Sequence, residues 1–336
     1  MHLVYKLLFA GFLLFPATIN AESLDRNAVN EFIENMVANY QFDEAWLEKV
    51  FSDTKKSQRV LDAISRPAEA LPWYKYRKIF LNQQRIDNGI IFWNENAELL
   101  DRAEKEFGVP PQIIVAIVGV ETGYGANKGK DRVMDALSTL AFHYPKRGRF
   151  FRGELEHFLL LARDQKIDPL TLEGSYAGAM GMPQFIPSSY RNYAVDFDGD
   201  GKTDIWNNNA DVIGSVGNYF RLHGWEPGMD IVVPATAING NYTSAINSDL
   251  KPSLKTDRLA DYGILPKLHI QPGTEVKVIS LEGEEGEELW LGLNNFYVIT
   301  RYNHSPLYAM AVYQLSTEIK NRRNQPVAVS GSRNIK

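Results

Sequence analysis

Apolar residues recur at helical spacing through much of the first two thirds of the chain. Residues 28–40 place Val29, Phe32, Ile33, Met36, Val37 and Tyr40 on one stripe of an otherwise polar segment. Phe42, Trp46, Leu47, Val50 and Phe51 repeat the pattern, and Ile86, Ile90, Phe92, Trp93, Ala97 and Leu100 predict further helix. Pro110-Pro111 then opens a dense apolar helix, a place where the missing proline N–H costs nothing. Helical spacing continues through Phe151, Leu155, Phe158, Leu159 and Ala162, and through Val212, Val216, Tyr219 and Phe220. The period changes after Trp225-Glu226-Pro227-Gly228. Ile231–Val233, Val276 with Val278, Leu289 with Leu291, and Tyr297–Ile299 are short, β-branched or alternating, and separated by Gly, Pro and Asn. They predict strands of a small β unit. A helical stretch returns around Leu307–Leu315, and from about Asn321 the chain is polar, without period, and expected to fray. The fold class is therefore mainly α with a small β domain (α+β).

The first residues add a compartment. Lys6 precedes the apolar run 7–15, Pro16 breaks it, and Ala21 offers a small residue for cleavage. The run is far shorter than the roughly 20 apolar residues of a membrane span. Residues 1–21 thus read as a cleavable signal peptide, and the expected location is the periplasm. A lipid anchor attached just after the signal needs a cysteine, and the chain has none, so it is expected not to be lipid-anchored. A net charge of -5 argues against nucleic acid as a partner, because that role wants a basic face. The 16 Tyr and 6 Trp suit a saccharide cleft, where rings serve as apolar platforms with polar tips.

The sharpest local feature is Glu121. It ends the run Ile113-Ile114-Val115-Ala116-Ile117-Val118-Gly119-Val120, and Gly123 and Gly125 follow to stop the helix. Apolar surroundings disfavour the ionised carboxylate, and the negative end of the helix dipole acts in the same direction. A carboxylic acid kept protonated near neutral pH is what protonation of a glycosidic oxygen requires. The same pattern also fits a Glu that caps or ion-pairs inside a core, and spacing alone does not choose. Asp131, Asp135 and Glu173 stand in polar contexts, so no second carboxylate with comparable surroundings is evident.

Val120-Glu121-Thr122-Gly123-Tyr124-Gly125 and Gly174-Ser175-Tyr176-Ala177-Gly178-Ala179-Met180-Gly181-Met182-Pro183-Gln184-Phe185 resemble the membrane-bound lytic murein transglycosylase B family of Gram-negative bacteria, in a soluble form. The likeness continues through Pro187–Tyr190, the Asp-rich segment 196–204, Asn218–Trp225, Arg301–Asn303 and Tyr308–Val312, and so spans roughly residues 25–316. The resemblance implies a lysozyme-like core flanked by an α-helical domain and a small β-sheet domain. Mapped onto the chain, these are 22–105 with a return helix at 305–318, a catalytic core at 106–225, a β domain at 226–304, and a flexible tail at 319–336. It implies cleavage of the β-1,4 bond between N-acetylmuramic acid and N-acetylglucosamine in peptidoglycan, leaving 1,6-anhydromuramoyl ends. Glu121 matches the family's catalytic glutamate. Ser175, Gln184, Tyr219, Tyr302, Asn303 and Tyr308 match positions lining its saccharide cleft, and Lys146 and Arg147 match a basic pair near the stem peptide. The implied partner is the glycan strand, met by a monomer that could work beside cell-wall synthesis or remodelling proteins. A hydrolytic muramidase and an inactive peptidoglycan-binding scaffold are the alternatives.

Asp196-Phe197-Asp198-Gly199-Asp200-Gly201-Lys202-Thr203-Asp204 fits the start of an EF-hand loop. Asp196, Asp198, Asp200 and Asp204 stand at ligand positions, and Lys202 can offer its carbonyl. The pattern departs at the twelfth position, where Asn207 replaces the bidentate Glu. Asp211, as the resemblance suggests, could close a longer loop. One structural Ca2+ is expected, with no catalytic cofactor.

Overall fold

The computed structural model describes residues 24–66, 71–238 and 240–325. The expected signal peptide lies outside them, as does most of the expected tail. Six helices open the described chain: α1 (Arg26–Tyr40), α2 (Glu44–Ser52), α3 (Gln58–Ser65), α4 (Trp73–Phe80), α5 (Gln83–Glu95) and α6 (Ala97–Phe107). The side chains of Asp25, Asp43, Ser57 and Asn82 each accept a first-turn N–H, which fixes where α1, α2, α3 and α5 begin. The segment 86–100 is not one helix. Asn96 leaves helical geometry (φ -120°, ψ 23°) and its amide donates back to Phe92 O, dividing α5 from α6.

α7 (Pro111–Thr122) follows, buried from Ile113 through Val120. Next come β1 (Asp131–Arg132), α8 (Val133–His143), α9 (Gly148–Asp164), β2 (Glu173–Gly174), α10 (Pro187–Tyr193) and α11 (Asn209–Leu222). β1 and β2 form a short antiparallel pair. The remaining strands are β3 (Val232–Ala237), β4 (Leu254–Lys255), β5 (Ile264–Pro266), β6 (Glu275–Gly283) and β7 (Gly286–Gly292). They pair antiparallel in the order β4-β6-β7-β3-β5. Both faces of this sheet are covered. Val233, Val276, Val278 and Leu291 pack in a small core of their own, while Val232, Ile279 and Leu281 join the main apolar cluster of the helices. Two dry faces explain the β-branched density of these strands.

The chain ends in α12 (Asn294–Tyr302) and α13 (Pro306–Arg323). Tyr297–Ile299, which the β-branched pattern predicts as strand, lies inside α12. Phe296, Val298, Ile299 and Thr300 are buried there, and a short apolar run buried all round carries no period to separate helix from strand. α13 also runs past the predicted end of the return helix at 318. Ile319 is fully buried, and Lys320, Arg322 and Arg323 suit the negative end of the dipole, so the expected tail at 319 begins as helix. α13 packs against α4, α5, α7 and α12, which brings the chain's end back to its first half.

Candidate functional site

Glu121 stands in the last turn of α7. Gly123 takes the left-handed conformation (φ 59°), its N–H bonds Gly119 O, and the Tyr124 N–H bonds Val118 O, which ends the helix abruptly. Thr122 ties this end to the loop 174–185: its hydroxyl donates to Met182 O at 3.0 Å and accepts from the Gly125 N–H at 3.0 Å. From the far end of the sequence, Ser305 caps α13 by accepting the Tyr308 N–H, and the Tyr308 hydroxyl donates to Glu121 Oε1 at 2.5 Å. Tyr302 ends α12 and donates to Pro183 O at 2.6 Å, while Tyr219 of α11 donates to Arg301 O at 2.7 Å. The Tyr219 and Tyr302 rings are 4.7 Å apart, and Phe185 lies 5.7 Å and 5.9 Å from them. One aromatic cluster thus joins the loop, α11 and the α12–α13 corner around a single carboxylate.

Burial pushes the Glu121 carboxyl up to about 7, and the hydrogen bond from Tyr308 pulls it part of the way back. Burial, and then the Glu121 charge, raise the phenols of Tyr302 and Tyr308 far above their ordinary range. The same two causes raise Tyr76. These tyrosines are therefore neutral O–H donors wherever Glu121 titrates.

Ser175 Oγ accepts the N–H groups of Ala177 and Ala179 at 3.3 and 3.0 Å, so it caps its own turn while keeping a hydroxyl proton to donate. Gln184 holds a left-handed backbone (φ 51°), and its amide donates to Lys128 O and Gly181 O at 3.2 and 2.9 Å. Asn303 is exposed just beyond α12. Lys146 and Arg147 lie before α9 and line an open groove with Phe150 and His157, with Arg147 4.1 Å over the Phe150 ring. The contacts that gather the tyrosines on Glu121 do not include them.

Residues the sequence did not single out also belong here. Tyr76 comes from α4, and its only local signal is the aromatic density of Trp73-Tyr74-Lys75-Tyr76. Arg85 of α5 donates to Gly119 O at 2.5 Å and Val120 O at 3.4 Å, placing a cation at the negative end of α7. Tyr124, with its hydroxyl on Arg85 O, passes over Gly119, where an added Cβ would sit 2.5 Å from that oxygen.

The expected lack of a second carboxylate in apolar surroundings needs correction. Glu154, on the apolar stripe of α9, is 5% exposed, and Asp211 is fully buried. Both are engaged elsewhere. Glu154 accepts the N–H and hydroxyl of Ser188 at the start of α10, and Asp211 accepts the N–H groups of Phe197 and Asp204. Asp131 pairs with Arg59, Asp135 pairs with Arg132, and Glu173 is exposed.

Among the expected cation ligands, Asp196, Asp198 and Asp211 each bring a carboxylate oxygen within 4.8 Å of the others, a hard oxygen set suited to Ca2+. Asp196 also accepts the N–H groups of Gly199, Asp200 and Gly201, which folds the loop around that carboxylate. Asp200 and Asp204 are turned to local caps, Asp200 on the Lys202 N–H and Asp204 on those of Trp206 and Asn207.

A family model described as the transglycosylase SLT domain matches residues 25–317. The membrane-bound lytic murein transglycosylase B of Escherichia coli strain K12 is 42% identical over 329 residues, covering 94% of this chain and 90% of that protein. The crystal structure of the soluble lytic transglycosylase SltB1 from Pseudomonas aeruginosa is 51% identical, with TM-score 0.85, covering 88% of this chain and 99% of that one. An Escherichia coli lytic transglycosylase solved in complex with calcium is 41% identical, with TM-score 0.84, covering 93% of this chain and all of that one (100%).

Proposed function

The chain belongs to the transglycosylase SLT domain family, and from that membership we propose that Glu121 is the single acid/base of a lytic transglycosylase acting on peptidoglycan. The observation that carries the role of Glu121 is the carboxyl itself: half-buried, pushed up to about 7, and held by the Tyr308 hydroxyl. A group poised there is populated both as acid and as base at neutral pH, which a two-step proton shuttle needs.

In the first step Glu121 gives its proton to the oxygen bridging N-acetylmuramic acid and N-acetylglucosamine, and the C1–O4 bond breaks. The acetamido oxygen of the muramoyl residue supports C1 as the bond departs. In the second step the Glu121 carboxylate takes the proton of the C6 hydroxyl while O6 bonds to C1, giving a 1,6-anhydromuramoyl end and restoring the acid. No water is consumed, so no second carboxylate is required as nucleophile or base. Tyr308 holds the carboxylate formed between the steps. Ser175 and Asn303 offer hydrogen bonds to the acetamido group, and Gln184, Tyr219 and Tyr302 shape the cleft. Lys146 and Arg147, on their own groove, would meet a stem peptide rather than the reacting sugars.

Asp196, Asp198 and Asp211 would hold one Ca2+, with Asp200, Asp204 and the Lys202 carbonyl as further donors. The ion would pin the loop to α11 and take no part in the chemistry. Its support is the converging donor set here and the calcium complex of the relative. We also propose the division into helical, catalytic and β domains at the bounds predicted from sequence, with the return helix extended to Arg323, and export to the periplasm by the N-terminal run. No helix among the described residues is long and apolar enough to cross a membrane. Without a cysteine for lipid attachment, the mature chain is proposed to fractionate free of the membrane, unlike the relative named membrane-bound.

Digestion of purified peptidoglycan by the wild type and by Glu121→Gln tests the assignment. The wild type should release muropeptides, and the variant should bind without releasing any. Release by the variant at the wild-type rate would remove Glu121 from the mechanism.

A further inference from the structure

A groove of about 520 Å3 lies where the α1–α2 corner meets the end of α9, and none of its residues belongs to the Glu121 cluster. Its volume falls within the range of ordinary ligand sites. Its wall carries Trp46, whose indole is fixed by stacking on Phe42 at 22° and 5.8 Å. Phe42 is in turn covered by the Arg163 guanidinium, 4.5 Å from the ring and anchored on Tyr40 O. Lys49 and Lys166 stand exposed at the same groove, and neither is in an ion pair among the described residues. The two acids of the lining are already engaged: Asp43 caps the Trp46 N–H and Asp168 caps the Leu170 N–H. Gln41 and Lys166 both hold left-handed backbones (φ 59° and 56°) where glycine is the easier residue. Of the four left-handed non-glycine residues among the described ones, these two line the groove. A half-buried aromatic plate with free cations at its edge suits a ligand with a flat sugar face and a carboxylate.

We propose that this groove is a second binding site for the substrate polymer. It takes a muramic-acid residue, with the sugar face on Trp46 and the lactyl or stem-peptide carboxylate against Lys49 and Lys166. The proposal rests on the transglycosylase reading, since that supplies a polymer whose sugars and carboxylates repeat along the strand. A second contact on one strand raises the effective concentration of cleavable bonds at Glu121 without touching the chemistry.

The test uses the full chain carrying Glu121→Gln, sedimented with intact sacculi, alone and with either Trp46→Ala or the pair Lys49→Glu and Lys166→Glu. Each groove change should weaken sedimentation by at least about tenfold, part of the roughly 100-fold or greater gain that a second linked contact supplies. Placed in the active enzyme, the same changes should leave kcat/KM on a soluble muramoyl tetrasaccharide at the wild-type value and lower it on sacculi. Muramyl dipeptide should shift the Trp46 side-chain signals in an NMR titration, and an N-acetylglucosamine trimer lacking the carboxylate should shift them less. Unchanged sedimentation of the lysine pair, whose exposed positions keep folding out of the question, would overturn the second site. An equal loss on tetrasaccharide and sacculi would overturn it too. Failure of the wild type to cleave sacculi would instead strike the transglycosylase reading.

Discussion

Glu121 carries a conflict between stability and chemistry that can be measured. Its carboxyl rises from 4.5 to about 7 on folding, so between those values the folded chain binds a proton that the unfolded chain has released. Stability therefore falls as pH rises through that window, and the cost is complete above about 7. Allowing for the solvent that reaches a half-buried group, that cost is on the order of 2 kcal/mol. Glu121→Gln should thus be more stable than the wild type at pH 8 by about that amount, and nearly equal to it at pH 4. Urea unfolding at the two pH values measures this, and an equal gain at both would deny the shifted carboxyl. Tyr308→Phe removes the bond that lowers the same group, so the basic limb of the pH–rate profile should move up by roughly one unit, with a lower maximum. A profile that only scales down, with its limbs in place, would leave Tyr308 as mere scaffold. Glu121 itself was legible because a lone acid breaks an apolar helix. The positions of Tyr308, Tyr302 and Tyr219 came only through a family likeness. Tyr76 and Arg85 were missed because what matters about them is their relation to the end of α7, the Glu121 charge acting on Tyr76 and the hydrogen bonds from Arg85, and no local spacing encodes it.

Gly119 shows how one position fixes the geometry of several helices. Alanine inside a helix is ordinarily favoured over glycine by up to about 1 kcal/mol. Here its Cβ would meet the Tyr124 hydroxyl at 2.5 Å, and that hydroxyl is tied to α5 through Arg85 O. The clash should win. Gly119→Ala is expected to destabilise the chain by about 1–3 kcal/mol, read from the urea midpoint, and to lower kcat as the end of α7 shifts. A stabilised and fully active variant would show that the notch is not needed. The stripes of α1, α2 and α9 were read from the sequence, whereas α3 and α4, which also keep a wet face, are short and were not singled out. Elsewhere the contrast itself vanished, as in the strand expected at Tyr297–Ile299, which lies in a largely buried helix. The start of α6 was lost for another reason, since Asn96 interrupts a continuous apolar pattern by a hydrogen bond of its own amide.

The whole molecule depends on segments far apart in sequence meeting at one carboxylate: α4 and α5 before it, the loop 174–185 and α11 after it, and α13 from the end of the chain. The Asp-rich loop is joined to that assembly through Asp211 at the start of α11, the helix that also carries Tyr219. Calcium binding there should raise the melting temperature, and a chelator should lower it. Activity at a temperature where both forms are folded should change little, because the ion sits outside the chemistry. A loss of activity on chelation with no change in melting would give the ion a different role. The most direct test of the mechanism is the mass of the products formed from peptidoglycan in water enriched in 18O. A single acid/base that returns the C6 hydroxyl to C1 predicts anhydro-muropeptides, one water lighter than hydrolysed ones, with no heavy oxygen. Reducing ends carrying 18O would show water as the nucleophile and contradict the account.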